Sequence, residues 1–238
     1  IRSVGGDASV TLVIPVHQGV GAIVPTVLEP GYYRCHCPDG AGSKTLSIKH
    51  QAAGETAPTA AAMTLPAAEL EAILIYQMAA LAGMARAEGL AMVHVKPHGA
   101  LYNTIVTDHG QARAVATAVH AVDPALPVLG LAGSAFFAAA DELGLRTVPE
   151  AFADRSYRPD GQLVPRTQRN AVLHNVSAIA DRVASMVTAG RVGAVDGSTI
   201  KITVSSICVH GDSPGAVDIA RAVRDRLTTE NVQIEAFC

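Results

Sequence analysis

The sequence predicts an α/β fold of parallel βα units, wound right-handedly into a barrel or an open sheet. Three observations carry that prediction. From Met63 onward, apolar runs of strand length alternate with amphipathic stretches of helix length. Several apolar runs stop at polar clusters, as strands do where a parallel sheet meets its loops. The composition also suits a layered core: of 238 residues, 49% are hydrophobic, 16% charged and only 4% aromatic, with no Trp. Such a core is aliphatic, built largely of Ala, Val and Leu.

The same composition narrows the function. A net charge of −3 without a long basic run argues against a nucleic-acid partner. No apolar stretch is read as reaching the roughly 18 residues that span a bilayer, and no signal peptide is read at the start, so no membrane partner is expected. Cys35, Cys37, Cys208 and Cys238 do not make a secreted disulfide framework in so long a chain, and a cytoplasmic location is expected. One domain over residues 1–238 is expected, atypical over 1–62, and a homo-oligomer is left open.

Residues 1–62 offer one clear strand, Val10 to Val16, followed by too many Pro and Gly breakers for a useful helix. Cys35-His36-Cys37 and Asp39 have metal-ligand side chains, but zinc sites use wider spacing. Gly40 to Thr45 resembles the end of a phosphate-binding loop, yet Ser43 separates Gly from Lys, and a surface loop is the simpler reading. Gln51 to Ala62 reads as a linker or a poorly ordered segment. From Leu65, Pro66 opens a helix whose Leu70, Ile73, Leu74, Met78, Leu81 and Met84 fall at helical spacing, to about Glu88, where Gly89 stops it. Gln77 lies in that stripe and needs polar partners, either in the core or in a site.

Ala91 to Val95 is a short strand ending at Lys96, Pro97, His98 and Gly99, with Tyr102 and Asn103 close behind. Pro97 lacks an amide donor and ends the ladder, while Gly99 permits a sharp turn. Helices follow over Gly110 to Val122, Ala135 to Leu143, Asn175 to Ala189 and Ala216 to Leu227. Strands are expected at Leu126 to Leu131, Leu145 to Val148, Ile202 to Val209 and Val232 to Ala236, with a short extended piece at Leu163 to Arg166. Three loops at strand C-terminal ends then carry the chemistry: Lys96 to Asn103, Glu150 to Tyr157, and His210 to Asp212. All are expected on one rim. The plain alternatives are a weak surface ion pair for Asp154 and Arg155, and a helix N-cap for Asp212 before Ser213-Pro214.

The segments VKPHGALYN, EAFADRSYRPDGQLVPR and ICVHGD, in this order, resemble the signature segments of the LamB/YcsF family, the A subunits of 5-oxoprolinase. The resemblance runs from about Met63 to the C-terminus. It implies an irregular (β/α) barrel of the glycoside hydrolase/deacetylase type, and ATP-dependent opening of 5-oxoproline to glutamate with subunits B and C. By motif, Lys96, His98, Asp154, Arg155 and His210 carry over as catalytic. Gln77, Tyr102, Asn103, Glu150, Tyr157, Arg166 and Asp212 carry over as substrate-binding. The family's opening segments, which supply further carboxylates and imidazoles, are not legible in residues 1–62.

A lactam is a stable amide, and phosphorylating its carbonyl oxygen exposes it to water. Such a site needs cations for phosphate or oxyanion, a role for Lys96 and Arg155, and a base for water, with His98, Asp154 and His210 as candidates. No nucleotide-binding loop is readable for ATP, and a divalent metal is left open. A metal-dependent amide or N-acetyl-sugar hydrolase, with His98, His210 and Asp212 as ligands, is the alternative. A defective homologue is the third reading. The abrupt change near Met63 points to a frame error or a replacement upstream, and to little or no 5-oxoprolinase activity from the chain as written. His98→Ala and Asp154→Ala are expected to abolish any activity and spare the fold.

Overall fold

The computed structural model describes residues 8–14, 31–34, 44–49, 65–87, 89–210 and 215–235, with side chains from Leu65 onward. The chain divides into two compact units, Ile1–Thr147 and Val148–Phe237.

In the first unit, β1 (Ala8–Ile14), β2 (Gly31–Arg34) and β3 (Lys44–Lys49) precede a long helix, α1 (Ala67–Ala87). Then come β4 (Ala91–Pro97), α2 (Gly99–Thr104), α3 (His109–Val122), β5 (Val128–Leu131) and α4 (Ala135–Glu142). The strands lie in the order β2-β3-β1-β4-β5. β1 pairs in parallel with β3 and β4, β4 with β5, and β2 runs antiparallel to β3. Parallel neighbours joined by helices are what the alternation from Met63 onward implies.

Residues 1–62 were expected to give one strand, and three are found there. β2 is a four-residue piece among breakers, GYYR, while β3, KTLSIK, is of ordinary strand length but carries only Leu46 and Ile48 as apolar residues, so neither stands out in sequence. Val16 and the patterns at Cys35 to Asp39, Gly40 to Ser43 and Gln51 to Ala62 lie outside the described residues.

α1 buries Leu70, Leu74, Met78, Leu81 and Ala85, a stripe at helical spacing that joins Val95, Val115, Val119 and Phe136 in one aliphatic core. α1 is also 21 residues long and holds an 18-residue stretch of mean hydropathy 1.3, long and apolar enough by length and composition to cross a membrane. That corrects the expectation of no such stretch: alanines outside the buried stripe raise the hydropathy where a typical surface helix would carry charge. Gly89, at φ +70°, follows the helix end.

β5 starts later than expected, at Val128, because Pro127 has no amide to donate; its carbonyl instead accepts from Val95 N at 2.9 Å. Within β5, a Cβ on Gly130 would stand 3.0 Å from ring atoms of both Phe136 and Phe137. Gly130→Ala is therefore expected to cost about 1–3 kcal/mol, read by urea unfolding. An unchanged midpoint would mean that the rings give way freely.

The second unit contains β6 (Thr147–Phe152) from its second residue onward, then α5 (Val176–Ala189), β7 (Arg191–Gly193), β8 (Thr199–Lys201), β9 (Ser206–Cys208) and α6 (Ala216–Thr229). β6 and β9 pair in parallel, with Phe152 opposite Cys208, while β7 and β8 form an antiparallel hairpin. Asn175 caps α5 by accepting from Ala178 N at 2.9 Å, and Gly190 ends it in the left-handed conformation. Ile179, Val183, Ile219, Val223 and Leu227 make the core between α5 and α6.

Three expectations change here. β6 runs on through Pro149 to Phe152, which puts Glu150 inside the strand and not on a loop. The run Ile202 to Val209 keeps only Ser206–Cys208 as strand. Val232 to Glu235 is not strand at all: Val232 N bonds Leu227 O at 3.0 Å and closes α6, and Ile234 is 54% exposed. Ala236 lies outside the described residues.

Candidate functional site

In the second unit the register of two strands builds the site. Phe152 and Cys208 are opposite one another, so the residues two further along each strand, Asp154 and His210, emerge side by side at the C-terminal ends. His210 Nδ1 lies 2.7 Å from Asp154 Oδ1. Asp154 is fully buried and His210 largely so, with side-chain exposures of 1% and 13%. A carboxylate can only accept, so the contact holds His210 as the Nδ1–H tautomer and leaves Nε2 as the basic nitrogen. The Phe152 ring stacks on the imidazole, centroids 5.5 Å apart and planes 19° from parallel, which fixes the ring's tilt.

Around this pair the second loop is packed into the protein. The Tyr157 hydroxyl accepts from Phe152 N at 2.9 Å, and burial pushes its pKa up to about 12, so it stays a neutral phenol. Glu150 is also buried, near Tyr157. Arg155 donates from Nε to Ala171 O at 3.2 Å and from Nη2 to Val164 O at 2.6 Å. Its guanidinium thus ties down the excursion from Val164 to Ala171, and burial, then the neighbouring Arg166, lowers its pKa. Arg166 itself is exposed. Asp212 lies outside the described residues.

In the first unit the polar cluster sits at the C-terminal end of β4. Lys96 is the penultimate strand residue, and its ammonium lies 5.9 Å from the centre of the buried Tyr102 ring. His98 is the N-cap residue of α2 but makes no side-chain capping bond. Tyr102 and Asn103 fall on α2, where a loop was expected; the Asn103 amide folds back to Gly99 O at 3.1 Å. Gln77 is half-buried on α1. His98 is half-buried and stands at a helix start, not in the aliphatic core, so His98→Ala is expected to shift stability by less than about 1 kcal/mol. Urea unfolding of that variant checks the point, and a larger loss would make His98 a residue of the fold.

Two residues escaped the sequence reading. His94 lies inside β4, buried, with its pKa lowered to about 4 by burial and then by Lys96. It hid within a run scored as apolar. Arg182 projects from α5 toward the end of β6, where its Nη1 faces Phe152 O and Ala153 O at 3.4 and 3.3 Å. One arginine on an amphipathic helix reads as solvated, although its spacing from Ile179 and Val183 would have put it near the inward face. Among the described residues, no group of three or more His, Cys, Asp and Glu side chains is arranged to hold a metal.

Parallel βα units bearing a buried carboxylate–imidazole pair at strand ends define an α/β protein equipped for proton transfer. Residues 61–238 match the LamB/YcsF family, with the match beginning close to the change of character at Met63. The chain belongs to that family. A protein of Mycolicibacterium gilvum, named as the A subunit of 5-oxoprolinase, is 68% identical over 169 residues, covering 71% of this chain and 67% of the relative. One of Mycobacterium marinum with the same name is 61% identical over 170 residues, 71% and 68% of the two chains. One of Paracidovorax citrulli is 51% identical over 175 residues, 74% and 70%. Among solved structures, the lactam utilization protein of Thermus thermophilus superposes with a TM-score of 0.68 at 41% identity, covering 74% of this chain and 70% of the other.

Proposed function

We propose that this chain is the A subunit of an ATP-dependent 5-oxoprolinase, which opens the lactam of 5-oxoproline to L-glutamate in company with subunits B and C. The observation that carries the reading is the Asp154–His210 contact, found in a chain that is, over 169 residues, 68% identical to a protein named as a 5-oxoprolinase A subunit. Relatives named as one subunit of several imply an assembly, and a relative named for lactam utilization supports the substrate class. A cytoplasmic location and the irregular barrel of the glycoside hydrolase/deacetylase type remain part of the proposal.

The residues act as follows. ATP, as a substrate, gives its γ-phosphoryl group to the lactam carbonyl oxygen and leaves as ADP, which makes the ring carbonyl carbon more open to attack by water than that of a resonance-stabilised amide. His210 Nε2 takes a proton from water as the water oxygen bonds to the ring carbonyl carbon. Asp154 accepts the Nδ1–H bond, holds the ring in place and stabilises the imidazolium. The imidazolium returns its proton to the ring nitrogen as the C–N bond breaks, which leaves an acyl phosphate; a second water then displaces inorganic phosphate from it and gives glutamate. Lys96 is the cation proposed for phosphate or oxyanion. Arg155, with two of its donors on backbone carbonyls, is assigned to holding the loop. Tyr102, Asn103, Gln77, Glu150, Tyr157, Arg166 and Asp212 keep the substrate-binding role as proposals, and a divalent metal stays open.

A second reading, a family member with impaired catalysis, is favoured by the start of the family match at residue 61. The test combines the chain with subunits B and C of a relative and follows glutamate and ADP together. Coupled formation of both supports the proposal. If neither forms, residues 1–62 are replaced by the opening segment of the Mycolicibacterium gilvum relative: recovered activity establishes the impaired reading, and continued silence overturns the function.

A further inference from the structure

We propose that Arg182 is a positioning residue that fixes the end of β6, so that Asp154 holds His210 in one tautomer and one orientation; this rests on the Asp154–His210 base proposed above. The two carbonyls facing Arg182 Nη1 belong to Phe152 and Ala153, the residues immediately before Asp154. The same guanidinium lies 5.2 Å from the centre of the Tyr157 ring. Tyr157 in turn accepts a hydrogen bond from Phe152 N, and Phe152 stacks on His210. Arg182 therefore reaches the dyad by two routes, one through the backbone that carries Asp154 and one through the ring that supports the imidazole.

Its charge belongs to the same arrangement. Burial lowers the Arg182 pKa, while Tyr157 and Asp154 act in the opposite direction, so the fully buried Asp154 has a cation in its surroundings. An apolar residue would fill the space beside Ile179 and Val183 without bringing a charge into a desolvated place. A lysine would bring the charge but not a planar group able to lie over a ring while its N–H groups meet two successive carbonyls. The side chain chosen is the one that can do all three.

The test uses the full chain, uniformly 15N-labelled, as wild type, Arg182→Met and Arg182→Lys, with His210→Gln assigning the His210 ring signals. In wild type the ring is expected as the Nδ1–H tautomer alone. Arg182→Met is expected to populate both tautomers, with Arg182→Lys intermediate. In the assembled enzyme, Arg182→Met is expected to lower kcat by about 10–100-fold, as loss of a supporting partner commonly does, with KM little changed. Arg182→Met with an unaltered tautomer and kcat overturns the proposal. So does unfolding of both variants, since Arg182 would then serve the fold alone. If His210→Gln leaves wild-type kcat intact, the base assignment fails, while the tautomer ratio still decides the role of Arg182.

Discussion

Asp154→Asn is expected to lower kcat for lactam opening by about 100–10,000-fold, the range over which a positioned acid–base group acts. The amide keeps the carboxylate's shape, but it can turn an NH2 toward His210 Nδ1 and favour the opposite tautomer, taking the basic nitrogen away from substrate. Steady-state rates of the assembled enzyme, compared at saturating 5-oxoproline, measure the effect; a loss below about tenfold would remove Asp154 from the mechanism. The fold is not expected to escape. Sequence reasoning treated Asp154 as a loop residue whose replacement with Ala spares stability, but the residue is 0% exposed and hydrogen-bonded to His210. Losing the acceptor leaves a largely buried imidazole unsatisfied, and Asp154→Ala should cost roughly 1–3 kcal/mol in urea unfolding.

Acid is expected to weaken the protein through His94, and the sign follows from the two states. The imidazole titrates near its ordinary value of 6.5 when unfolded and at about 4 when folded, because burial and then Lys96 disfavour its charge. Above pH 6.5 both states are neutral there and the full stability is present. Between pH 6.5 and 4 the unfolded chain binds a proton that the folded chain refuses, so stability is lost as pH falls. The linkage amounts to about 2 kcal/mol by pH 5 and levels off below about pH 4. Urea unfolding of wild type and His94→Gln at pH 7 and pH 5 isolates this share. Equal pH dependence in the two proteins would show that His94 does not carry it.

Much of the candidate site was legible because strand register is a sequence property. Asp154 and His210 each follow an apolar run by a similar interval, and parallel pairing brings such residues together. The end of α1 was legible through Gly89, whereas β4 runs two residues past the expected end at Val95, with Lys96 and Pro97 still paired to Val13 and Ile14 of β1. Other features were hidden for physical reasons. Glu150 read as a loop residue because Pro149 looks like a strand terminator, yet an internal Pro is tolerated where its missing donor is not needed; Pro149 O still accepts from Ser205 N. Val232 and Ile234 alternate as a strand would, but alternation shows only which side chains favour burial, and here a helix end takes Val232 into its core. β2 is too short for periodicity to show, and in β3 only Leu46 and Ile48 alternate with polar residues, too few to stand out after the glycine-rich stretch before it. Arg182 was invisible because a charge on a helix declares its partners only in three dimensions.

The 56-residue separation of Asp154 and His210 has a kinetic consequence. Pairing β6 with β9 requires closing a loop that contains α5 and the β7–β8 hairpin, and long-range parallel pairing is among the slower events of folding. α5, capped at both ends, can form early from local contacts; the Nδ1–H···Oδ1 bond cannot exist until the crossover is complete. In a refolding time course, secondary structure should therefore recover before the downfield His210 proton does. The bond that prepares the imidazole for chemistry doubles as a timestamp on assembly: a chain caught short of its native state carries no oriented base and starts no reaction.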